Sequence, residues 1–302
     1  MAKQAKVKGL KVKHTVGQNI LTVIMTIVSI LWISPVLLVL MNSFKLKAFI
    51  FRDPFSISAF PLKEGFSRWA SGIKIAFAGG LNYTNGLETT GFFKCFGVSL
   101  FITVFSVFLI ILFCSMTAYY ITRVHTKFTR FFYLLCLFSM IVPFQMVMFT
   151  LSKFANILHL SNPVGIGVVY LGFGAGLAIF MYTGYVRSMP IDIEEAAMID
   201  GCTPIQTFFL VVFPVMKPMT VTIGILETMW IWNDYLLPSL VLDINKYKTI
   251  PIAVQFLKQS HGMIDWGAMM ATLVLAILPI IIFYLAAQKY IIQGVMAGAV
   301  KG

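Results

Sequence analysis

The chain has 302 residues, of which 59% are hydrophobic and only 11% are charged, and its mean hydropathy is +0.89. Soluble domains contain about 25% charged residues, so the composition excludes an ordinary soluble domain and indicates an integral protein of the lipid bilayer. The net charge of +12 does not indicate nucleic-acid binding, because the basic residues flank apolar runs, where anionic lipid and the positive-inside rule account for them.

Six apolar runs are long enough to cross a bilayer, which takes about 20 helical residues. Lipid cannot satisfy open backbone groups, so runs this apolar are predicted to be helices. The predicted spans are 20–41, 92–119, 128–151, 163–185, 219–241 and 268–290. They form one membrane domain, 20–290, between a basic tail at 1–19 and a second tail at 291–302. The first run is too long for the core of a cleavable signal peptide and is predicted to remain as a span.

Lysine and arginine in the short flanks predict the orientation. They are concentrated in the tail 1–19, in the loop after the second span (Arg123, Lys127 and Arg130) and after the last span (Lys289 and Lys301). These segments lie on one side, so both termini are predicted to be cytoplasmic. The segment 188–214 is then cytoplasmic, and the loops 42–91 and 242–267 are external. Those external loops also contain lysines, but long loops count less in this rule.

Motifs for catalysis, nucleotide binding and metal binding are missing from the sequence. It has no GxxxxGK[ST] loop, no HExxH and no GxSxG, and its four histidines are scattered. Its four cysteines form no CxxC pair, which favours small buried side chains over a metal site or a disulfide. The glycine-rich stretch 165–176 lies in the fourth span and indicates close helix packing. We therefore predict no catalytic residue, metal or cofactor in this chain.

One cytoplasmic segment departs from the apolar pattern: "SMPIDIEEAAMIDGCTPIQTFFLVVFPVMKP", residues 188–218. Ser188 and Pro190 mark the start of a helix, and Gly201 is a typical stop after its end. A second short helix follows, with Thr203 as its N-cap and Gln206 three residues later, which is a capping box. The segment is thus predicted to form two short helices that meet at a glycine.

The acidic residues of this segment suggest what it binds. Four of them precede any lysine, namely Asp192, Glu194, Glu195 and Asp200. An amphipathic helix lying in the lipid interface is the alternative, but such helices are usually basic, and anionic lipid repels carboxylates. A protein partner with basic groups is the favoured interpretation.

The spacing from "EAA" (195–197) through Gly201 to "VVFP", which ends at Pro214, resembles the EAA loop of ABC-importer permeases. Phe213 replaces the usual leucine. The resemblance extends over nearly the whole chain and points to the second, smaller permease of the maltose and multiple-sugar type. The matching stretches are "MNSFK" (41–45), "TAYYITR" (117–123), "WIWNDYLLP" (230–238) and "GVMAGAVKG" (294–302). "GVSL" (97–100) and Thr150 depart from the family pattern and affect local helix packing.

The resemblance implies an all-α integral membrane protein with six transmembrane helices of the type I ABC importer permease fold and a cytoplasmic coupling (EAA) helix. It implies a permease subunit of an ATP-driven, binding-protein-dependent sugar importer in a bacterial inner or plasma membrane, with an oligosaccharide favoured as substrate. The implied partners are a second permease in a heterodimer, two cytoplasmic ABC ATPase subunits that bind ATP and Mg²⁺, and an extracellular or periplasmic solute-binding protein.

Two alternatives remain open. One is an ABC importer for another solute, such as glycerol phosphate or a polyamine. The other is a stand-alone secondary transporter. Such transporters usually bury ionisable relays in several spans, whereas four of the six predicted spans here contain essentially none.

By resemblance, the residues expected to couple this chain to the ATPase are Glu194, Glu195, Ala196, Ala197, Asp200, Gly201 and Pro214. The loop 243–266 resembles a segment that reaches into the binding protein, with Gln259 and His261 as candidate contacts, or is a plain connection. The tail 296–302 either slips between the ATPase subunits or is a frayed end.

Two acids lie inside the fifth predicted span. Glu227, Trp230 and Asp234 are spaced as i, i+3 and i+7, which predicts one helical face turned away from lipid. A carboxylate beside an indole suits sugar binding. Together with Gln145, these residues are predicted to line the translocation pathway or, alternatively, to form hydrogen bonds in an interface between helices or subunits.

Overall fold

The computed structural model describes residues 16–60, 62–77, 80–257 and 265–299, with side chains described except at residues 62 and 291–299. Across these ranges the regular structure is helical, apart from an isolated antiparallel bridge between Lys45 and Phe77. A 3-10 turn spans Leu62–Glu64 and a π-helical turn spans Thr207–Val212. The α-helices are α1 Val16–Ser43, α2 Lys47–Arg52, α3 Phe66–Ala76, α4 Leu81–Thr90, α5 Phe92–Arg123, α6 Lys127–Ile141, α7 Phe144–Ile157, α8 Pro163–Val186, α9 Asp192–Ile199, α10 Pro204–Gln206, α11 Phe213–Val215, α12 Lys217–Asn233, α13 Leu236–Val241, α14 Ile250–Phe256 and α15 Trp266–Ala299.

Four helices, α1, α5, α8 and α15, are by themselves long and apolar enough to cross a membrane. Two bent pairs bring the number of candidate spans to six among the described residues. Helices α6 and α7 meet at 106°, and the segment 204–215 meets α12 at 74°.

The span predicted over 128–151 is not one straight helix, because the chain breaks at Val142 and Pro143. Proline has no N–H to donate and disfavours helical geometry in the preceding residue. The span predicted over 219–241 is likewise interrupted, since α12 ends at Asn233 and α13 begins at Leu236.

The core forms mainly between α5 and α8, with α6 and α12 packed on the same pair. Glycines on α8 allow this close approach. A β-carbon at Gly167 would lie 2.5 Å from the ring of Phe105, and one at Gly176 would lie 2.9 Å from the carbonyl oxygen of Cys136. The glycine-rich stretch therefore packs against helices, as predicted.

The predicted loop 42–91 is mostly helical and is held against both terminal spans. Asn82 on α4 is buried and donates to the carbonyl oxygens of Ser43 and Lys45, at 2.8 Å each. Gly267 at the start of α15 lies directly against the Asn82 side chain. Helix α4 thus joins the end of α1 to the beginning of α15.

Candidate functional site

The segment between α8 and α12 forms the predicted pair of short helices around a glycine. Gly201 has φ +88°, which lies in the left-handed region that favours glycine. Its N–H donates to Met198 O and the N–H of Cys202 donates to Ala197 O, at 3.0 Å each. This is a complete Schellman motif. We call residues 192–206 the coupling elbow.

The second arm of the elbow begins as predicted. Thr203 N–H donates to Gln206 Oε1 at 2.8 Å, and Gln206 N–H donates to Thr203 Oγ1 at 3.4 Å, which confirms the capping box. The predicted start of the first arm is wrong. Helix α9 begins at Asp192, and the Ser188 hydroxyl instead donates to Tyr185 O at the end of α8.

The outer face of the elbow presents carboxylates beside exposed apolar side chains. Glu195, Ala196 and Asp200 are exposed. Beside them, Ile199 is 85% exposed and Ile205 is 71% exposed. Apolar patches rimmed by polar groups mark interaction sites. Pro214, which lies after the π-helical turn, is also exposed.

Glu194 points the other way, into the chain. It is 2% exposed, and its Oε1 accepts hydrogen bonds from Nε–H and Nη2–H of Arg123, the former at 2.9 Å. Its Oε2 accepts a hydrogen bond from the Tyr119 hydroxyl at 2.9 Å. Arg123 also donates to Met189 O at 3.4 Å. Both oxygens of this buried carboxylate are therefore satisfied by the C-terminal end of α5.

Sequence reasoning missed these two partners of Glu194. Tyr119 and Arg123 are four residues apart on α5 and so share one helical face. They belong to the "TAYYITR" stretch, which was recognised only through its family resemblance. The buried Ala197 and the ring of Phe208, whose centroid is 5.3 Å from that of Tyr119, pack on the same side of the elbow. The elbow is thereby attached to the end of a span.

Glu227, on α12, is also buried. It is 2% exposed, and its Oε2 has no hydrogen-bond partner among the described residues. A β-carbon at Gly174 of α8 would lie 3.0 Å from this oxygen, so the glycine leaves room for the carboxylate. In this conformation Glu227 lies between packed helices.

Trp230 and Asp234 meet through Tyr170 of α8. The Tyr170 hydroxyl donates to Asp234 Oδ2 at 3.0 Å, and its ring lies edge-on to Trp230 at 5.4 Å. The Leu236 N–H donates to Asp234 Oδ1 at 2.9 Å, so Asp234 caps α13. Asp234 lies just beyond the end of α12, and Trp230 is 41% exposed while Glu227 is buried, so the three residues have different surroundings.

The remaining candidates are dispersed. Gln145 is exposed in the first turn of α7, after the break at Pro143. Gln259 and His261 lie outside the described residues, as do residues 300–302 of the C-terminal tail. Within the described ranges, no group of three or more His, Cys, Asp or Glu residues could hold a metal ion.

The bent helical spans and the elbow define a class of protein, the membrane subunit of a type I ABC importer. The family model described as "Binding-protein-dependent transport system inner membrane component" matches residues 110–296. The chain belongs to this family, whose members are transport components rather than enzymes and work with an ATPase and a solute-binding protein.

Several curated proteins resemble the chain over nearly its full length. The probable starch degradation products transport system permease protein AmyC of Thermoanaerobacterium thermosulfurigenes is 36% identical over 289 residues, which cover 96% of this chain and 99% of that protein. The melibiose/raffinose/stachyose import permease protein MelC of Bacillus subtilis is 30% identical over 297 residues, which cover 97% and 100%.

A solved structure has the same fold. It is the crystal structure of a bacterial ABC transporter involved in the import of the acidic polysaccharide alginate, with a TM-score of 0.70 and 22% identity, covering 92% of this chain and 99% of that chain. The predicted fold, the all-helical type I ABC importer permease, is confirmed.

Proposed function

We propose that this chain is one of two different permease subunits in an ATP-driven importer of an oligosaccharide, and that it forms half of the translocation pathway. AmyC belongs to a probable transport system for starch degradation products, and MelC is an import permease for melibiose, raffinose and stachyose. A further relative, from Bacillus subtilis, is a permease for arabinooligosaccharides, 30% identical over 282 residues. These names share a substrate class, and that supports an oligosaccharide for this chain.

The observation that carries the coupling role is the two-sided elbow. Glu194 holds its inner side to α5, while the outer side presents Glu195, Asp200 and Ile199. This outer side suits a cytoplasmic partner that offers basic groups around an apolar groove. We assign that partner to one of two ATPase subunits, which bind ATP and Mg²⁺ themselves. Movement of the ATPase would pull on the elbow and, through Arg123, on α5.

The other contacts follow from the same assignment. The elbow is cytoplasmic, both termini lie on its side of a bacterial inner or plasma membrane, and the segments 42–91 and 242–267 face outward. The outward segment around Gln259 and His261 contacts the solute-binding protein, and the tail 296–302 approaches the ATPase subunits. Among the three candidate pathway residues Glu227, Trp230 and Asp234, Trp230 is the best placed to touch a sugar, because it is the most exposed.

Reconstitution tests this function directly. The chain, its partner permease, the ATPase and the binding protein are placed in liposomes with ATP on the ATPase side, and uptake of maltotriose, raffinose and an arabinotriose is measured. We expect ATP-dependent uptake of at least one oligosaccharide and no uptake with a non-hydrolysable ATP analogue. Uptake driven by an ion gradient without ATP, or uptake of glycerol phosphate or a polyamine in preference to every sugar, would contradict the proposal.

A further inference from the structure

A cavity of about 690 Å³ opens beside the elbow, among the ends of α5, α6 and α8. Four basic side chains line it, those of His125, Lys127, Arg130 and Arg187. No aspartate or glutamate is among its lining residues, and none of the ion pairs found in the described part of the chain involves these four side chains. We call it the basic cavity. No acidic side chain in the cavity wall therefore balances the positive charge of these basic residues.

Hydrogen bonds and a cation–π contact fix the walls of the basic cavity. Thr126 N-caps α6 by accepting a hydrogen bond from Thr129 N–H at 3.1 Å, and the Thr129 hydroxyl donates to Val124 O at 2.7 Å. The guanidinium of Arg187 lies 5.5 Å from the centroid of the Tyr133 ring, in cation–π contact. The positive end of the α6 dipole adds to the attraction for an anion at this place.

An apolar groove of about 450 Å³ continues from the basic cavity between α5 and α6. The two share Ile121 and Thr129 in their walls. The groove is lined otherwise by Thr117 and by apolar and aromatic side chains, which include Phe113, Met116 and Phe132. From Ile121 back to Phe113 it follows α5 for eight residues, about 12 Å along the helix.

We propose that the basic cavity and this groove together bind one anionic phospholipid of the phosphatidylglycerol class. The phosphate is contacted by Arg130 and Arg187, and one acyl chain lies in the groove beside Phe113. A free phosphate ion would use the cavity and leave the groove empty, whereas a lipid matches both at once. Basic pockets between spans at a cytoplasmic membrane surface are typical sites for anionic headgroups.

This site would connect lipid composition to transport. Arg187 is the C-cap residue of α8, so it opens the chain segment that leads into the coupling elbow. Arg123, which holds Glu194, ends the helix whose side forms the groove. A bound lipid therefore stiffens the two attachments of the elbow, and coupling is expected to be more efficient in membranes that contain anionic lipid.

The test uses the complete purified importer in nanodiscs. Phosphatidylglycerol with a photoreactive group in its acyl chain is incorporated, and phosphatidylcholine with the same group serves as the matched lipid. We expect phosphatidylglycerol to crosslink to residues 113–132 far more strongly than phosphatidylcholine. Arg130→Gln and Arg187→Gln each remove one basic side chain, and each should lower the labelling by phosphatidylglycerol about fivefold. Arg130→Lys should largely retain it, and Lys153→Gln, an exposed lysine remote in sequence, should leave it unchanged.

Three results would overturn the proposal. Equal labelling by both lipids would show that the groove is merely lipid-facing. Displacement of phosphatidylglycerol by inorganic phosphate, with no labelling of the groove, would assign the cavity to a free anion. Unchanged lipid labelling in the Arg130→Gln and Arg187→Gln variants, together with loss of the ATPase subunits on gel filtration, would assign it to an acidic protein partner.

Discussion

Arg123 and Glu194 form the one ion pair of the described residues in which both side chains are largely removed from water. The exposed fractions of the two side chains are 19% and 3%. The pair of Lys246 and Asp243, three residues apart, is far more exposed, at 74% and 33%. Breaking a buried pair by removing one member leaves a charge without compensation and costs about 3–5 kcal/mol, whereas an exposed pair contributes about 0–1 kcal/mol.

We therefore expect Glu194→Ala and Arg123→Met to abolish stimulation of the ATPase by substrate-loaded binding protein, while ATP hydrolysis by the assembled complex persists. The measurement is ATPase activity with and without binding protein, in complexes whose subunit ratio has been checked. Lys246→Met is the control and should behave as the wild type. Partial recovery in the exchanged double variant, Arg123→Glu with Glu194→Arg, would attribute the effect to the pair. Full stimulation in either single variant would show that the pair does not transmit coupling.

Substitutions at Gly201 test backbone strain without steric clash. A β-carbon there would meet no atom within 4 Å, so the cost of a side chain arises from φ +88° alone. We expect Gly201→Ala to destabilise the elbow by roughly 1–2 kcal/mol and to weaken coupling, with Gly201→Asn milder, because asparagine tolerates left-handed geometry. Gly201→Asp should still assemble but lose substrate-stimulated ATPase activity.

The control for this series is Gly184→Ala on α8, which also meets no atom within 4 Å but has no positive φ. It should match the wild type or slightly exceed it in thermal stability. Normal uptake by Gly201→Asp would refute the role of the elbow angle.

Local sequence rules predicted the parts of the elbow that depend on neighbouring residues. The Gly201 stop and the capping box of Thr203 and Gln206 involve positions within a few residues of each other, so spacing is sufficient to find them. The inward direction of Glu194 was not predictable in this way, because its partner Arg123 is 71 residues away. All four acids of the segment look alike in sequence, and only the fold distinguishes the buried one.

At the scale of elements, the break between α12 and α13 separates the roles of Trp230 and Asp234, two of the three residues that were predicted to share one helical face. Asp234 is a cap and a hydrogen-bond acceptor for Tyr170, whereas Trp230 is partly exposed. We expect Trp230→Ala to change the ranking of sugars in proteoliposome uptake without loss of assembly.

Asp234→Ala, in contrast, should lower uptake of every sugar together with the thermal stability of the complex, since it removes the cap of α13 and the acceptor for the Tyr170 hydroxyl. Glu227→Gln fills the same buried space without a charge and should assemble normally. If Trp230→Ala keeps the wild-type ranking, the tryptophan does not contact substrate.

Helix α4 depends on a single buried amide. Asn82→Asp replaces a donor to two carbonyl oxygens by a group that can only repel them when ionised. We expect a loss of about 1–3 kcal/mol for each carbonyl left unpaired, measured as a lower midpoint of thermal unfolding in detergent. Asn85→Asp is the control, because Asn85 lies in the same helix but is only half-buried. This variant should leave the midpoint of thermal unfolding nearly unchanged. Equal effects of the two variants would contradict the role given to Asn82.

The break at Pro143 shows how hydropathy can mislead about elements. The run 128–151 is predominantly apolar and long enough to span, so composition predicts one helix. The backbone rule for proline overrides it, and the two halves meet at 106°. Similarly, the helices of 42–91 were not predicted, because they are stabilised by Asn82 and by contact with α15 rather than by a long apolar period.

For the whole molecule, the predicted orientation is tested by single cysteines in a cysteine-free background. Ser67 and Asn245 are exposed in the two segments predicted to face outward, and Ile199 is exposed on the elbow. An impermeant maleimide should label Ser67→Cys and Asn245→Cys in cells without an outer barrier, and Ile199→Cys only after the membrane is opened. Labelling of Ile199→Cys in intact cells, with protection of the other two, would reverse the topology.

Helix α1 packs against α15, and none of its most apolar 18-residue window is buried in the protein. Of these two helices, α1 leaves the ribosome before α15. While the chain is being made, α1 must therefore remain in the bilayer with its eventual neighbour not yet synthesised. Its mean hydropathy of 2.6 in that window is what holds it there. The apolar surface of α1 thus suits the order of biosynthesis, and the contact between the two helices forms only after α15 has been made.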